Sequence, residues 1–261
     1  MSSPAATTAT TVTPTPGVHA AGVPSRDASG AVLEVRGLTA GYGGGPAISD
    51  IDLSVHPGEV VTLLGANGAG KTTTLLTIAG ELSPMRGTVV VDGDARRRRL
   101  HHRARHGVGL LTEERCVFMQ LTGWQNLKLG RGKPEDALAH FPELEPHLGK
   151  KTGLLSGGQQ QMLALARVLA GRPRVLLADE LSLGLAPLVV ERLLRAVRAA
   201  ADDDGVAVVL VEQHVRQALA VADTVHVLRR GRVVLSGPAS ELRDDPDALT
   251  QHYLSGEAPT S

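Results

Sequence analysis

The feature that most constrains the fold is an apolar run that leads directly into a glycine-rich loop. Residues 60–64 read Val-Val-Thr-Leu-Leu, and residues 65–72 read Gly-Ala-Asn-Gly-Ala-Gly-Lys-Thr. The run predicts a strand buried on both faces, as in a parallel sheet. The loop has the spacing G-x-x-x-x-G-K-[ST], and a helical pattern follows it. Together they predict a strand–loop–helix unit that cradles phosphate groups.

Each residue type in this loop has a physical use in phosphate binding. Glycines let backbone N–H groups turn inward around the phosphates, and the next helix directs its positive end at the anion. Lys71 would reach the β and γ oxygens, and the Thr72 hydroxyl can ligate Mg²⁺. The predicted nucleotide-binding residues of this element are Gly65, Asn67, Gly68, Gly70, Lys71, Thr72 and Thr73.

A second apolar run, residues 175–178, ends in the acidic pair Asp179 and Glu180. Open α/β sheets bind ligands at the carboxyl ends of their strands. There Asp179 would hold Mg²⁺, and Glu180 would orient and polarise an attacking water. A carboxylate pair alone is equally typical of a solvated turn, but the glycine-rich loop favours the functional interpretation. The two motifs indicate hydrolysis of ATP or GTP without distinguishing the bases.

Strand and helix patterns alternate along the chain and predict an α/β fold with flanking helices. Opening strands are predicted within residues 32–55, and a third buried strand at 206–211. Helices are predicted at residues 160–170 and 187–201, and a hairpin at residues 225–235.

Residues 113–155 depart from this rhythm because they contain no buried strand pattern. They hold both phenylalanines, the only tryptophan and the only cysteine of a chain with 2% aromatic residues. Residues 122–125 resemble a helix capping box, and Pro134 suits the first turn of another helix. We therefore predict a small inserted helical lobe. Its aromatics, such as Phe118 and Trp124, either anchor a partner or form the lobe's own core.

Composition sets further limits. The 261 residues carry 27 basic and 27 acidic side chains, so no nucleic-acid partner is expected. Cys116 is the single cysteine, which excludes an intrachain disulfide. Without an apolar run of about 18 residues or a secretory signal, we expect a soluble, intracellular protein. The basic run at residues 96–105 is either a solvated helical face or a contact for anionic headgroups.

Residues 155–159 read Leu-Ser-Gly-Gly-Gln and precede a helical pattern. With the glycine-rich loop before them and the acidic pair after them, the chain resembles the ATP-binding subunits of ABC transporters over residues 31–256. The resemblance implies a P-loop NTPase of ABC type, with N-terminal antiparallel strands beside the main sheet. It also implies a head-to-tail pair of domains that sandwiches ATP between the loop of one and Ser156 of the other.

The resemblance assigns further roles residue by residue. Tyr42 matches the aromatic that stacks on adenine, and His214 matches a switch histidine that contacts the γ-phosphate. Glu113 stands where most members have a Gln that reaches Mg²⁺ and the attacking water. ATP and Mg²⁺ are thus the implied cofactors. The implied catalytic residues are Glu180, His214 and Glu113; the metal ligands are Thr72, Asp179 and Glu113; the further nucleotide contacts are Tyr42, Ser156, Gly157, Gly158 and Gln159.

Residues 113–127, 182–187 and 211–213 are similar to one branch, the smaller ATPase subunit of importers for branched-chain and other hydrophobic amino acids, amides or urea. This implies permease subunits, a second ATPase subunit, an external solute-binding protein and a place at the cytoplasmic face of the membrane. Leu181 departs from the usual proline, and Glu114 adds a carboxylate. A soluble ABC ATPase without a permease and an exporter subunit are the alternatives.

The predicted organisation has four parts. Residues 1–30 form a disordered tail, and residues 31–112 with 156–240 form the nucleotide-binding core. Residues 113–155 form the helical lobe, with the Leu-Ser-Gly-Gly-Gln motif at its end. Residues 241–261 form a C-terminal helix and tail.

Overall fold

The computed structural model describes residues 30–96, 98–114, 116–243 and 249. The predicted N-terminal tail, apart from its last residue, and most of the predicted C-terminal segment lie outside these residues. The strands are β1 Leu33–Tyr42, β2 Gly45–Val55, β3 Val60–Leu64, β4 Arg86–Val91, β5 Val108–Leu111, β6 Val175–Asp179, β7 Ala207–Glu212, β8 Thr224–Arg229 and β9 Arg232–Pro238. The helices are α1 Lys71–Ala79, α2 Leu100–Arg105, α3 Gly123–Lys128, α4 Pro134–His140, α5 Gly157–Leu169, α6 Pro187–Asp204, α7 Val215–Val221 and α8 Ala239–Leu242, with 3₁₀ turns at Pro142–His147 and Thr152–Leu154.

The main sheet has six strands in the order β5-β6-β7-β3-β8-β9. All neighbours are parallel except the β8–β9 pair, which is an antiparallel hairpin. Strands β3, β6 and β7 are buried along their whole length, because helices or a second sheet cover both faces. The predicted parallel core and the predicted hairpin are confirmed.

A smaller sheet of three antiparallel strands, in the order β2-β1-β4, lies beside the main sheet. It confirms the antiparallel N-terminal strands that the family resemblance implied. Neighbouring residues of the main-sheet strands face opposite sides, as the pleat requires. Leu177 and Val209 pack toward α1 and the smaller sheet, whereas Leu176 and Val208 pack toward α5 and α6. The main sheet is therefore the central layer between two apolar cores.

The segment between β5 and α5 is helical, as predicted. Thr122 accepts from the amide of Gln125 and Gln125 from that of Thr122, which forms the predicted capping box. Pro134 is the first residue of α4, as its fixed φ favours. Phe141 is fully buried beneath the Arg192 guanidinium, 4.5 Å from the ring centre. The boundaries that we assigned to the lobe stay predictions.

The two remaining aromatics of this segment are less buried than Phe141. Trp124 is partly buried against the core that contains α5 and α6. Phe118 is 58% exposed. Phe141 therefore forms core and Phe118 faces solvent, and a role of Phe118 as an anchor for a partner stays a prediction.

The basic run after β4 is only partly a solvated face. Arg96 is exposed and binds Asp94 with two nitrogens, whereas Arg103 is buried and donates to the Ile78 carbonyl. The interpretation of a solvated face is therefore wrong for Arg103, which joins α2 to α1. Across the described ranges, no helix has the length and apolarity needed to cross a membrane.

Candidate nucleotide site

The glycine-rich loop connects the buried end of β3 to the first turn of α1. Gly68 and Gly70 have φ values of 78° and 105°, in the left-handed region that favours glycine. Gly65 has a different constraint, because a Cβ there would lie 2.7 Å from the Leu228 carbonyl oxygen. The loop therefore keeps its backbone close to the sheet. Its helix begins at Lys71, so that the free N–H groups of α1 face the loop.

Lys71 is buried at the centre of this loop, with 4% of its side chain exposed. Its Nζ donates to the carbonyl oxygens of Gly65 at 2.8 Å and Ala66 at 3.3 Å. It also lies 3.3 Å from Oε1 of Glu180, whose side chain is 10% exposed. The fold thus brings the predicted phosphate-binding cation and the predicted catalytic carboxylate into direct contact.

Asp179, the last residue of β6, is almost fully buried. Burial raises the pKa of its carboxyl to about 6, and the negative charges of Glu180 and Glu113 act in the same direction. A hydrogen bond from the Thr72 side chain and the charge of Lys71 lower the pKa. A cation at this place would favour the ionised carboxylate.

The residues around Asp179 fit Mg²⁺. Its Oδ1 is buried and has no hydrogen-bond partner among the described residues, while Thr72 bonds to the same carboxyl group. Magnesium prefers oxygen ligands and is usually held by one or two carboxylates together with substrate phosphates. The described part of the chain has no group of three His, Cys, Asp or Glu that could hold a metal ion. Thr72 and Asp179 are the residues that would hold the ion.

Glu180 adopts a left-handed backbone with φ 46°, which is uncommon outside glycine. Its carboxylate lies between two donors, because Oε1 faces Lys71 and Oε2 accepts from Nε2 of Gln213 at 2.7 Å. Its amide donates to the Val211 carbonyl at 2.9 Å. Sequence reasoning did not predict Gln213, although it directly precedes the predicted His214.

His214 lies one residue past Gln213 and is exposed. It forms the N-cap of α7, and its Nδ1 is 3.2 Å from Oγ of Ser182. Past the end of β7, the side chain that donates to the Glu180 carboxylate is thus that of Gln213, whereas His214 faces Ser182. The γ-phosphate contact of His214 stays a prediction.

Glu113 follows β5 and lines an open cleft of about 670 Å³. Glu180 from the loop after β6 and Gln161 from α5 line the same cleft, and Glu114 is a further lining residue. Gln161 is 97% buried and was missed from sequence, because it follows the Leu-Ser-Gly-Gly-Gln motif without belonging to it. The structure thus brings Glu113 close to the acidic pair, and its metal contact stays a prediction.

The second glycine-rich element begins α5. Ser156 accepts from the amide of Gln159 at 3.2 Å and donates its own amide to Oε1 of Gln159 at 3.0 Å. Ser156 is exposed at this helix start, where free N–H groups favour an anion. No hydrogen bond or ion pair between described residues joins Ser156–Gln159 to the loop at 65–72. Tyr42, the last residue of β1, is 56% exposed, as a stacking platform requires.

A buried strand β3, a glycine-rich loop with Lys71, and an acidic pair at the end of β6 define a P-loop nucleotide-binding domain. The family model for ABC transporters matches residues 48–182, and the chain belongs to that family. It is therefore an ATPase coupled to transport.

Three comparisons give the family detail. The chain is 36% identical to the high-affinity branched-chain amino acid transport ATP-binding protein BraG of Pseudomonas aeruginosa, over 82% of this chain and 96% of that protein. It is 32% identical to the lipopolysaccharide export system ATP-binding protein LptB of Escherichia coli, over 82% and 94%. A solved ATP-binding subunit of an ABC transporter aligns with TM-score 0.70 and 28% identity, over 82% and 92%.

Proposed function

We propose that the chain is the ATP-hydrolysing subunit of an importer for branched-chain amino acids or related small solutes. It acts at the cytoplasmic face of the cell membrane, bound there through integral-membrane permease subunits. An external solute-binding protein supplies the solute to the permease. A second ABC ATPase subunit, either another copy or a related chain, completes the two nucleotide sites.

The observation that carries the pairing is the separation of two anion-binding elements. Lys71 and the acidic pair meet at one sheet edge, whereas Ser156 caps α5 without a hydrogen bond to that edge among the described residues. Each element alone encloses only one side of a phosphate chain. A head-to-tail pair would place Ser156 of one chain against the loop of the other.

The proposed hydrolysis uses the chain's own groups in distinct roles. Lys71 and the α1 N–H groups bind the phosphates, and Tyr42 stacks on adenine. Glu180 orients the attacking water and accepts its proton, with Gln213 as a second contact to its carboxylate. Bound Mg²⁺, held by Thr72 and Asp179, would neutralise the charge on the phosphate oxygens.

Import of amino acids is favoured over export by the BraG relative and by residues 182–187, which are similar to the importer branch. Export is the second candidate, because LptB is also similar over most of the chain. The exposed surface suited to a permease contains Phe118, Met119 and Leu154, which are 58%, 47% and 76% exposed. The amide of Gly153 donates to the Met119 carbonyl at 3.0 Å, so the two parts of this surface adjoin.

The test uses a variant that would bind ATP without turnover. Tagged Glu180→Gln is extracted from its native membranes in mild detergent with ATP and Mg²⁺, and the proteins that co-purify are identified. We expect a multi-span permease and a second related ATPase. A Lys71→Met variant, which should not retain ATP, is the matched control for nucleotide-dependent capture.

The captured complex then decides the solute. Reconstituted with the permease in vesicles, the wild-type chain should drive ATP-dependent uptake of radiolabelled leucine, isoleucine or valine. Capture of an export machinery, or ATP-dependent movement in the opposite direction, would contradict import. Recovery only from the soluble fraction would favour an ABC ATPase that acts without a permease.

A further inference from the structure

The end of β7 holds the loop after β6 through a row of hydrogen bonds. Glu180 donates its amide to the Val211 carbonyl at 2.9 Å, and its Oε2 accepts from Gln213 at 2.7 Å. Between these two contacts, Glu212 accepts twice from Ser182. The Ser182 amide donates to Oε1 at 3.2 Å, and its hydroxyl donates to Oε2 at 2.7 Å. The β7 end therefore contacts both Glu180 and the residue two positions beyond it.

Glu212 is fully buried, although it carries a carboxylate in an otherwise apolar strand. Burying a carboxylate is costly unless donors point at its oxygens. Ser182, itself 6% exposed, supplies one donor to each oxygen. A packed apolar side chain at position 212 would avoid this cost but could not hold the Ser182 backbone.

The loop that Glu212 holds has an unfavourable backbone. Glu180 has a positive φ of 46°, which non-glycine residues rarely adopt. Leu181 follows it, so that no proline ring fixes the next φ. Contacts from outside the turn must therefore support this conformation, and the bonds to Ser182 lie immediately after Leu181.

We propose that Glu212 is a positioning residue for ATP hydrolysis, which fixes the Glu180 turn through Ser182 and so keeps the Glu180 carboxylate between Lys71 and Gln213. The inference rests on the proposed role of Glu180 as the group that activates water. The Glu212 carboxylate accepts from the amide and the hydroxyl of Ser182, and no side-chain hydrogen bond in the described ranges joins it to a predicted nucleotide or metal ligand. The Ser182 hydroxyl is also 3.2 Å from Nδ1 of His214. Its loss should therefore lower turnover and leave ATP binding intact.

The test compares two substitutions in the purified full chain. Glu212→Met keeps the length of the side chain but removes both acceptors, whereas Glu212→Gln keeps one acceptor and adds a donor for the Ser182 hydroxyl. With Glu212→Met we expect the single-turnover rate of ATP hydrolysis to fall roughly ten- to hundredfold, with the Kd for Mg-ATP unchanged. Glu212→Gln should restore most of the rate.

Two further variants separate positioning from folding. Ser182→Ala removes the hydroxyl bond to Glu212 together with the hydroxyl contact to His214, and keeps the amide bond to Glu212. It should lower the rate by a smaller factor, even if Glu212→Met does not fold. Gln217→Ala changes a glutamine of α7 whose Oε1 is buried without a partner among the described residues, and it should hydrolyse ATP at the wild-type rate. A wild-type rate in folded Ser182→Ala and Glu212→Met would overturn the proposal.

A double variant tests whether Glu212 acts through Glu180. If it does, Glu180→Gln and Glu180→Gln/Glu212→Met should show the same residual rate. A further fall by the factor seen in Glu212→Met alone would mean that Glu212 acts independently, and would overturn the inference. Wild-type turnover in Glu180→Gln would instead remove the proposed role of Glu180, so the two failures are distinguishable.

Discussion

The two glycine-rich elements of this chain look alike in sequence but are supported differently in the fold. The loop at residues 65–70 is pressed against β8 and buries Lys71. The turn before α5 is exposed at Ser156, whose hydrogen bonds to other described residues stay within its own helix start. The comparison teaches that one element is a preformed cradle and the other an exposed helix start, which in the proposed head-to-tail pair would face a phosphate bound by a second chain.

The largest expected difference concerns nucleotide binding by the isolated chain. Lys71→Met removes the buried cation of the preformed cradle, and we expect hydrolysis to fall by roughly a hundredfold or more. Titration with a fluorescent ATP analogue measures the binding of nucleotide, and a phosphate-release assay measures the rate of hydrolysis. Lys128→Met, which changes a lysine whose Nζ is 5.8 Å from the Trp124 ring, is the control. Tight binding and normal turnover in Lys71→Met would contradict the assignment of this loop.

Acid should affect the strands behind the preformed cradle. His226 of β8 is buried, with its Nδ1 2.6 Å from Oγ of Ser236, and burial lowers its pKa to about 4. The unfolded chain, with an ordinary pKa of 6.5, binds this proton first. Stability from His226 is therefore complete above pH 6.5 and declines as the pH falls toward 4, by an amount on the order of 3 kcal/mol.

Denaturant unfolding at several pH values, for the wild type and for His226→Asn, checks this expectation. The variant should lose less stability between pH 7 and pH 4 than the wild type does. His101→Asn, which changes an exposed histidine, is the control and should keep the wild-type slope. If the free energy of unfolding changed equally with pH in wild type and His226→Asn, protonation of His226 would not be the cause of the loss of stability in acid.

Much of the site follows from local sequence, because Lys71, Thr72 and the acidic pair lie where a buried strand ends. Other contacts join residues that are distant in sequence, and no spacing rule predicts them. Gln213, after β7, contacts Glu180, after β6. The left-handed backbone at Glu180 could not be predicted either, because the residue there is not a glycine. His214 lies just past a core strand, as predicted, whereas its contact with the γ-phosphate stays a prediction. Adjacent side chains after a strand point in different directions, however. A shift of one position along the sequence therefore separates Gln213, which faces Glu180, from His214, which faces Ser182.

A methyl group added to a glycine should destabilise the loop at residues 65–70 more than the start of α5. In Gly65→Ala the new Cβ would meet the Leu228 carbonyl oxygen at 2.7 Å, which is backbone and cannot yield cheaply. We expect a loss of about 2 kcal/mol in the free energy of unfolding. In Gly158→Ala the Cβ would meet a Val189 methyl at 2.9 Å, and the higher helix propensity of alanine offsets about 1 kcal/mol of that strain. Urea unfolding measures both variants. Similar losses in the free energy of unfolding would mean that the loop at residues 65–70 and the start of α5 tolerate an added methyl group equally.

The smallest expected change in stability is the most informative about pairing. Ser156→Ala and Thr122→Ala each remove the hydroxyl of a capping box, at the starts of α5 and α3. Each should lower the free energy of unfolding by about 1 kcal/mol. At protein concentrations high enough for two chains to pair, only Ser156→Ala should also lower the rate of ATP hydrolysis. Only that hydroxyl would face the phosphate bound by a second chain. ATP binding at low protein concentration should be unchanged in both. Equal hydrolysis rates in the two variants would mean that Ser156 serves α5 alone, and the case for a shared site would then rest on the backbone N–H groups of Gly157 and Gly158 at the start of α5.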